Sequence, residues 1–246
     1  MKHLIIVASP RIRGRSAAVA SALGRTLAAA DPAAEVRLIE LADARIAPCT
    51  ACGACEGLAA RAGAERAGAE RCVVRDDMAR VYEALDACGK LWVVSPVFFA
   101  GPPAQLKSLF DRLQPYYWGD WRRTPKRPAE LFVVGDGGDP HGFAPLVSIA
   151  RSALAVAGFR LGDVHDLVGL LSEGAADVPA GEALLQAGRV RPAADYACPL
   201  PPCEGSAPPA GCAGADAPPG GRAGADAQLG GFAAPPAATE GGPRHG

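Results

Sequence analysis

Lys2-His3-Leu4-Ile5-Ile6-Val7-Ala8-Ser9-Pro10-Arg11-Ile12-Arg13-Gly14-Arg15-Ser16 is the stretch that decides the fold. The apolar run from Leu4 to Ala8 is what a strand buried on both faces requires. Pro10 and Gly14 interrupt it, and from Ser16 an Ala-rich stretch takes up helical spacing to about residue 30. A helix that starts so soon after a strand points unsatisfied N–H groups, and the positive end of its dipole, at the loop between them. That is an anion site in outline. The hydroxyls of Ser9 and Ser16 can donate to the anion, Arg11 or Arg13 can add a charge-assisted bond, and Gly14 permits close backbone approach. The plainer alternative is a connecting loop in which Ser16 only caps the helix. Neither the lysine-bearing loop of nucleoside triphosphatases nor the Gly-x-Gly-x-x-Gly dinucleotide pattern is present, so a mononucleotide phosphate is the better match.

The same alternation of strand and amphipathic helix continues outward to about residue 167, the pattern of βαβ units winding a parallel sheet. Five strands are expected, at residues 3–8, 35–41, 90–95, 130–135 and roughly 160–168. Helices are expected near 16–30, 76–87, 103–113 and 145–157, with a last one near 179–188. Right-handed crossovers leave few topologies for such a chain. The expectation is an α/β, flavodoxin-like three-layer α/β/α sandwich with a five-stranded parallel sheet in the order 2-1-3-4-5. Ligands of that architecture sit beyond the carboxyl ends of the strands. The loops 9–15, 96–102 and 136–144 are therefore the ones to watch.

The chain has 246 residues, 25 basic against 26 acidic, and a net charge of -1. This gives no electrostatic footprint for nucleic acid. No stretch is long and apolar enough for membrane insertion, and the first apolar run is too short for a signal core. A cytoplasmic protein with reduced thiols is expected. One domain should span 1–190, with a cysteine-bearing insertion loop at about 46–75. Residues 191–246, dominated by Ala, Gly and Pro and repeating Ala-Gly-Ala-Asp-Ala, are expected to form a disordered tail. Its Cys198, Cys203 and Cys212 match no compact metal pattern. Cys88, alone near a helix end, reads as a buried small hydrophobe.

Four segments in order resemble the flavodoxin-like NAD(P)H-dependent FMN reductases and, within them, the iron-sulfur flavoproteins. They are Ser9-Pro10-Arg11 to Ser16; Pro48-Cys49-Thr50-Ala51-Cys52-Gly53-Ala54-Cys55 with Cys72 and Asp76-Asp77-Met78; Ser95-Pro96-Val97-Phe98-Phe99; and Lys107 with Asp111-Arg112. The likeness covers about residues 2–174. It implies that the first segment binds the FMN phosphate and that the loop from Pro96 to Gly101 lies against the isoalloxazine ring. Pro96, Val97, Phe98, Phe99 and Gly101 suit that role, since a flat ring needs an apolar wall and a few backbone donors. The alternative is that the two phenylalanines anchor the loop into the core. Gly137 and Gly138 would bring backbone amides to the ring's polar edge. His141 is either a nicotinamide or flavin contact or a solvated loop histidine. Tyr116, Tyr117, Trp118 and Trp121 would cover the flavin, meet a partner subunit, or simply pack. Lys107, Asp111 and Arg112 read mainly as local structural pairs.

Cys49, Cys52 and Cys55 form Cys-x2-Cys-x2-Cys, which resembles the motif ligating a four-iron four-sulfur cluster, with Cys72 as the fourth ligand. Cys72 lies farther on than in relatives. The tandem Arg61-Ala62-Gly63-Ala64-Glu65 and Arg66-Ala67-Gly68-Ala69-Glu70 accounts for the gap, and a longer loop closes at little extra entropic cost. A cluster, a tetrathiolate zinc and unligated thiols all remain open on spacing alone. The leading expectation is an FMN-dependent oxidoreductase that takes electrons from NAD(P)H and passes them to a quinone, flavin or iron-sulfur acceptor, with no catalytic side chain required. The alternatives are a non-enzymatic flavodoxin-type carrier and a thiol or zinc sensor on the same fold. The resemblance also implies a homo-oligomer, a dimer or tetramer.

Overall fold

The computed structural model describes residues 1–62, 71–119, 124–170, 185 and 187–196. In chain order the elements are β1 (Lys2–Val7), α1 (Arg15–Ala30), β2 (Glu35–Glu40), α2 (Ala54–Ala62), α3 (Met78–Ala87), β3 (Lys90–Pro96), α4 (Ala104–Asp111) and α5 (Gln114–Tyr117). They continue with β4 (Arg127–Gly135), α6 (Ala144–Val156), β5 (Phe159–Val168), β6 (Arg189–Pro192) and a 3-10 turn at Ala193–Asp195.

Among the described residues the sheet is six-stranded, in the order β2-β1-β3-β4-β5-β6. The first five strands are parallel, with Ile6 paired to both Ile39 and Val93, and Val93 to Leu131. The 2-1-3-4-5 order read from the sequence is the order observed. The strand count is corrected by one: β6 adds antiparallel to β5, with Val190 opposite His165. All four residues of β6 are exposed, so no apolar alternation advertises it in the sequence. The described fold also runs past residue 190, where the tail was expected to begin, because Ala193 is buried in the core. Residues 197–246, on which the expectation of a disordered tail falls, lie outside the described residues, as does most of the helix expected at 179–188.

Successive strand residues enter opposite layers, as a period of two requires. Leu4, Ile6, Leu91, Val93, Leu131 and Val133 pack with α3, α4 and α6. Ile5, Val7, Trp92, Val94, Phe132 and Val134 pack with Val19, Ala20 and Leu23 of α1 and with Leu185. Both faces are thus covered, which is why the central strands are apolar throughout. At the amino edge the Arg127 guanidinium donates to the carbonyls of Leu85 (2.6 Å) and Cys88 (2.8 Å), a cation placed at the negative end of α3. The opposite, carboxyl edge is left to the loops.

Candidate functional site

Three loops meet at the carboxyl edge, following β1, β3 and β4. The first ends at Gly14, the N-cap of α1; among the described residues no side chain caps that helix, and no acidic residue occupies its first turn. The free N–H groups of the turn keep their full attraction for an anion. Ser9 is buried, and its Oγ accepts a bond from the Arg11 N–H at 3.1 Å, which leaves the hydroxyl proton available. A Cβ on residue 14 would stand 3.3 Å from Ser9 Oγ and 3.4 Å from Arg11 Cβ, so glycine is what lets the loop close. Arg11 and Arg13 are exposed and Ser16 is buried in the helix's first turn. The loop therefore gathers donors that could hold a phosphate.

The second loop is a tight turn. Phe98 and Gly101 exchange backbone hydrogen bonds, N–H to O, at 3.0 and 2.9 Å. Between them Phe99 and Ala100 have φ of 49° and 60°. Two consecutive left-handed residues are the mark of a type I′ turn, usually filled by Asn and Gly. Here a phenylalanine and an alanine bear the strain, and strained backbone is found preferentially at functional sites. Phe98 is exposed and Phe99 fully so, which removes the alternative that both phenylalanines anchor the loop in the core. Pro96 and Val97 are half-buried at its base. The Ala100 carbonyl accepts from the Leu146 N–H at 3.1 Å, tying the turn to the start of α6.

The third loop carries Gly137 and Gly138 at φ of 90° and 87°, conformations that favour glycine. A Cβ on Gly138 would meet nothing within 4 Å, so its backbone faces open space. His141 is exposed, with its backbone N–H bonded to Asp139 at 2.8 Å. Two contacts lock this loop to the others. A Cβ at Gly135 would come within 2.8 Å of Val97 Cγ1. Arg15, in the first turn of α1, pairs with Asp136. The sequence reading missed Arg15 and Asp136. A cation at a helix N-terminus is unfavourable by itself, which was the available signal that it had either a partner or an anion to meet.

The four cysteines Cys49, Cys52, Cys55 and Cys72 line one cavity of about 480 Å³, together with Thr50, Val74, Arg112 and Trp118. Cys49 and Cys52 come from an irregular segment in which Ala51 (φ 53°) and Gly53 (φ 70°) are left-handed. Cys55 belongs to α2, which begins before the tandem repeat and runs into its first residues. Burial pushes the Cys55 thiol up, and nearby Cys72 and Cys49 add to the effect. Cys52 is held below the ordinary thiol range by hydrogen bonds from the Ala54 backbone and the Thr50 side chain, with Arg112 adding a smaller attraction. Cys49 and Cys55 on one side of the tandem repeat and Cys72 on the other thus face the same cavity. Among the described residues no group of three His, Cys, Asp or Glu side chains is already set to hold a metal ion. Cys88 is buried, its thiol pushed up to about 11 by burial, as a structural cysteine should be.

Of the aromatic residues, Tyr116 is part of the core, its hydroxyl donating to Asp86 at 2.8 Å. Trp118 is at the cysteine cavity, in edge contact with Tyr117, and Trp121 lies outside the described residues. Lys107 and Asp111 form the expected local pair at 2.7 Å, whereas Arg112 turns inward.

Fold and site together define a flavodoxin-like α/β protein whose first strand leads through a short loop to the N-terminus of α1. Residues 1–161 match the family of NADPH-dependent FMN reductases, and the chain belongs to that family. It is 37% identical over 78 residues to an iron-sulfur flavoprotein of Methanosarcina thermophila, covering 32% of this chain and 35% of that one. An iron-sulfur flavoprotein of Methanocaldococcus jannaschii is 33% identical over 118 residues, covering 47% and 53%. The matches thus span about a third to a half of those relatives. The fold is similar to that of an NAD(P)H:quinone oxidoreductase from Methanothermobacter marburgensis, with a TM-score of 0.53, 19% identity, and coverage of 76% of this chain and 92% of that one. No helix among the described residues is long and apolar enough to cross a membrane.

Proposed function

We propose that the protein is a cytoplasmic FMN-dependent NAD(P)H oxidoreductase that delivers electrons to a quinone, a flavin or an iron-sulfur acceptor. The observation that carries this reading is the meeting of three interlocked loops at one sheet edge: an uncapped helix N-terminus, a strained aromatic turn and a pair of left-handed glycines. Ser9, Arg11, Arg13, Gly14 and Ser16 would hold the FMN phosphate. Pro96, Val97, Phe98, Phe99 and Gly101 would form the wall of the ring site, with Gly137 and Gly138 offering backbone amides to its polar edge. Bound FMN supplies the hydride and electron chemistry. The chain's own task is to orient the ring, keep water from one side of it, and leave the other side open to the nucleotide and then to the acceptor. The phosphate loop and the Arg15–Asp136 pair fix the orientation; the exposed Phe98 and Phe99 supply the apolar cover.

Cys49, Cys52, Cys55 and Cys72 are the proposed ligands of a four-iron four-sulfur cluster, supported by their shared cavity and by the cluster named in the matched relatives. The working protein is proposed to be a dimer or tetramer. Anaerobic purification followed by flavin, iron, sulfide and zinc assays on one sample tests both cofactors. One FMN with four irons and four sulfides per chain is the expected result. FMN with zinc or no metal would overturn the cluster, and a chain that takes no FMN on reconstitution would overturn the function.

A further inference from the structure

We propose that Arg112 is the positioning residue of the cysteine site, binding together the two arms of the loop and supplying a fixed positive charge beneath the thiols. The inference rests on the reading of the four cysteines as one ligand set. Cys49, Cys52 and Cys55 leave the fold just after Ala47, and Cys72 returns to it just before Val74. Among the described residues, the two arms are joined at their bases.

Arg112 is found there. It follows α4, its side chain is 1% exposed, and its guanidinium reaches both arms. Nη1 donates to the Ala47 carbonyl at 3.0 Å and to Asp76 Oδ2 at 2.8 Å. Nη2 donates to the Val74 carbonyl at 3.3 Å and to Asp76 Oδ1 at 3.2 Å. Asp76 in turn accepts from the Ala47 N–H at 2.9 Å, so the arms are joined through the carboxylate as well. The planar fork is what makes the join possible: one guanidinium serves two carbonyls and both oxygens of one carboxylate, which a lysine cannot do. Tyr82 steadies the backbone of Arg112 by donating to its carbonyl at 2.5 Å. On the other side of Cys72, Arg71 is buried against Asp86, 2.6 Å away, and stacks over the Tyr116 ring. Cys72 is therefore anchored from both neighbouring sides.

The energetic cost of Arg112 points the same way. Among the described residues its Nε is buried without a hydrogen-bond partner. A buried ion pair with an orphan donor stabilises a fold less than apolar packing of the same volume would. Its charge has a use at this place, because Arg112 lines the cavity and acts electrostatically on Cys52 and Cys72. Four thiolates around a metal centre leave an excess of negative charge, which a buried cation offsets.

The test is an anaerobic Co2+ titration of the wild type, Arg112→Lys and Arg112→Met, read by thiolate-to-cobalt charge-transfer absorption, with thermal unfolding of each variant as the fold control. The wild type should bind one Co2+ with a tetrathiolate spectrum. Both variants should bind about 10- to 100-fold more weakly, the range seen when partners behind metal ligands are removed. After iron and sulfide reconstitution, Arg112→Met should also show a lower cluster reduction potential than Arg112→Lys, which keeps the charge. Variants that unfold cooperatively and bind Co2+ with wild-type affinity and spectrum would overturn the role of Arg112; should Arg112→Met fail to fold, Arg112→Lys decides alone. A wild type that takes neither Co2+ nor iron would instead overturn the ligand set itself, so the two failures are distinguishable.

Discussion

Phe99 and Ala100 hold left-handed backbone that neither residue favours, and Phe99 gains no burial in return. Left-handed conformation costs an L-residue about 1–2 kcal/mol, whereas asparagine tolerates it. Phe99→Asn should therefore raise the thermal unfolding midpoint by roughly 2–4 °C for each kcal/mol recovered in a chain of this size. If the residue covers the ring, the same variant should bind FMN more weakly. A lower midpoint with unchanged FMN affinity would show that Phe99 serves the fold instead. This strain could not be read from the sequence, because Phe-Ala carries no turn signature. Ser9 and Gly14 could be, because strand, short loop and helix follow one another within a single stretch. Arg15 and Asp136 meet only in the fold, and Arg112 looked like half of a helical surface pair until α4 ended and turned its side chain inward.

At the scale of elements, the strands were legible wherever both faces are covered, since burial forces continuous apolar runs. The exposed β6 and the short α2 left no comparable pattern. Across the amino half of the sheet, Glu130 of β4 joins Lys90 of β3 at 2.5 Å and His165 of β5 at 2.6 Å. Burial alone would raise its pKa, but the bonds from His165 and Lys90 outweigh burial and hold the carboxyl below the ordinary range. A carboxyl depressed on folding stabilises above its unfolded pKa, about 4.3, and that contribution is lost as pH falls through the lower folded value. Glu130→Gln should accordingly be less stable than the wild type at neutral pH and converge toward it below roughly pH 4. Denaturant unfolding across that window checks this; parallel curves for the two proteins would contradict it.

Over the whole molecule, parallel winding sends the loops after β1, β3 and β4 to one edge, and the flavin reading depends on that convergence. The cysteine loop is a separate feature: α3, α4 and the segments around Ala47 and Val74 hold it, and Arg112 joins its two arms. Reconstitution with FMN followed by anaerobic mixing with NADPH or NADH, read at the visible flavin band, tests the central claim most directly. The account predicts rapid and complete bleaching by at least one of the two nucleotides. A stably bound FMN that neither nucleotide bleaches, while dithionite does, would contradict it and leave the protein an electron carrier.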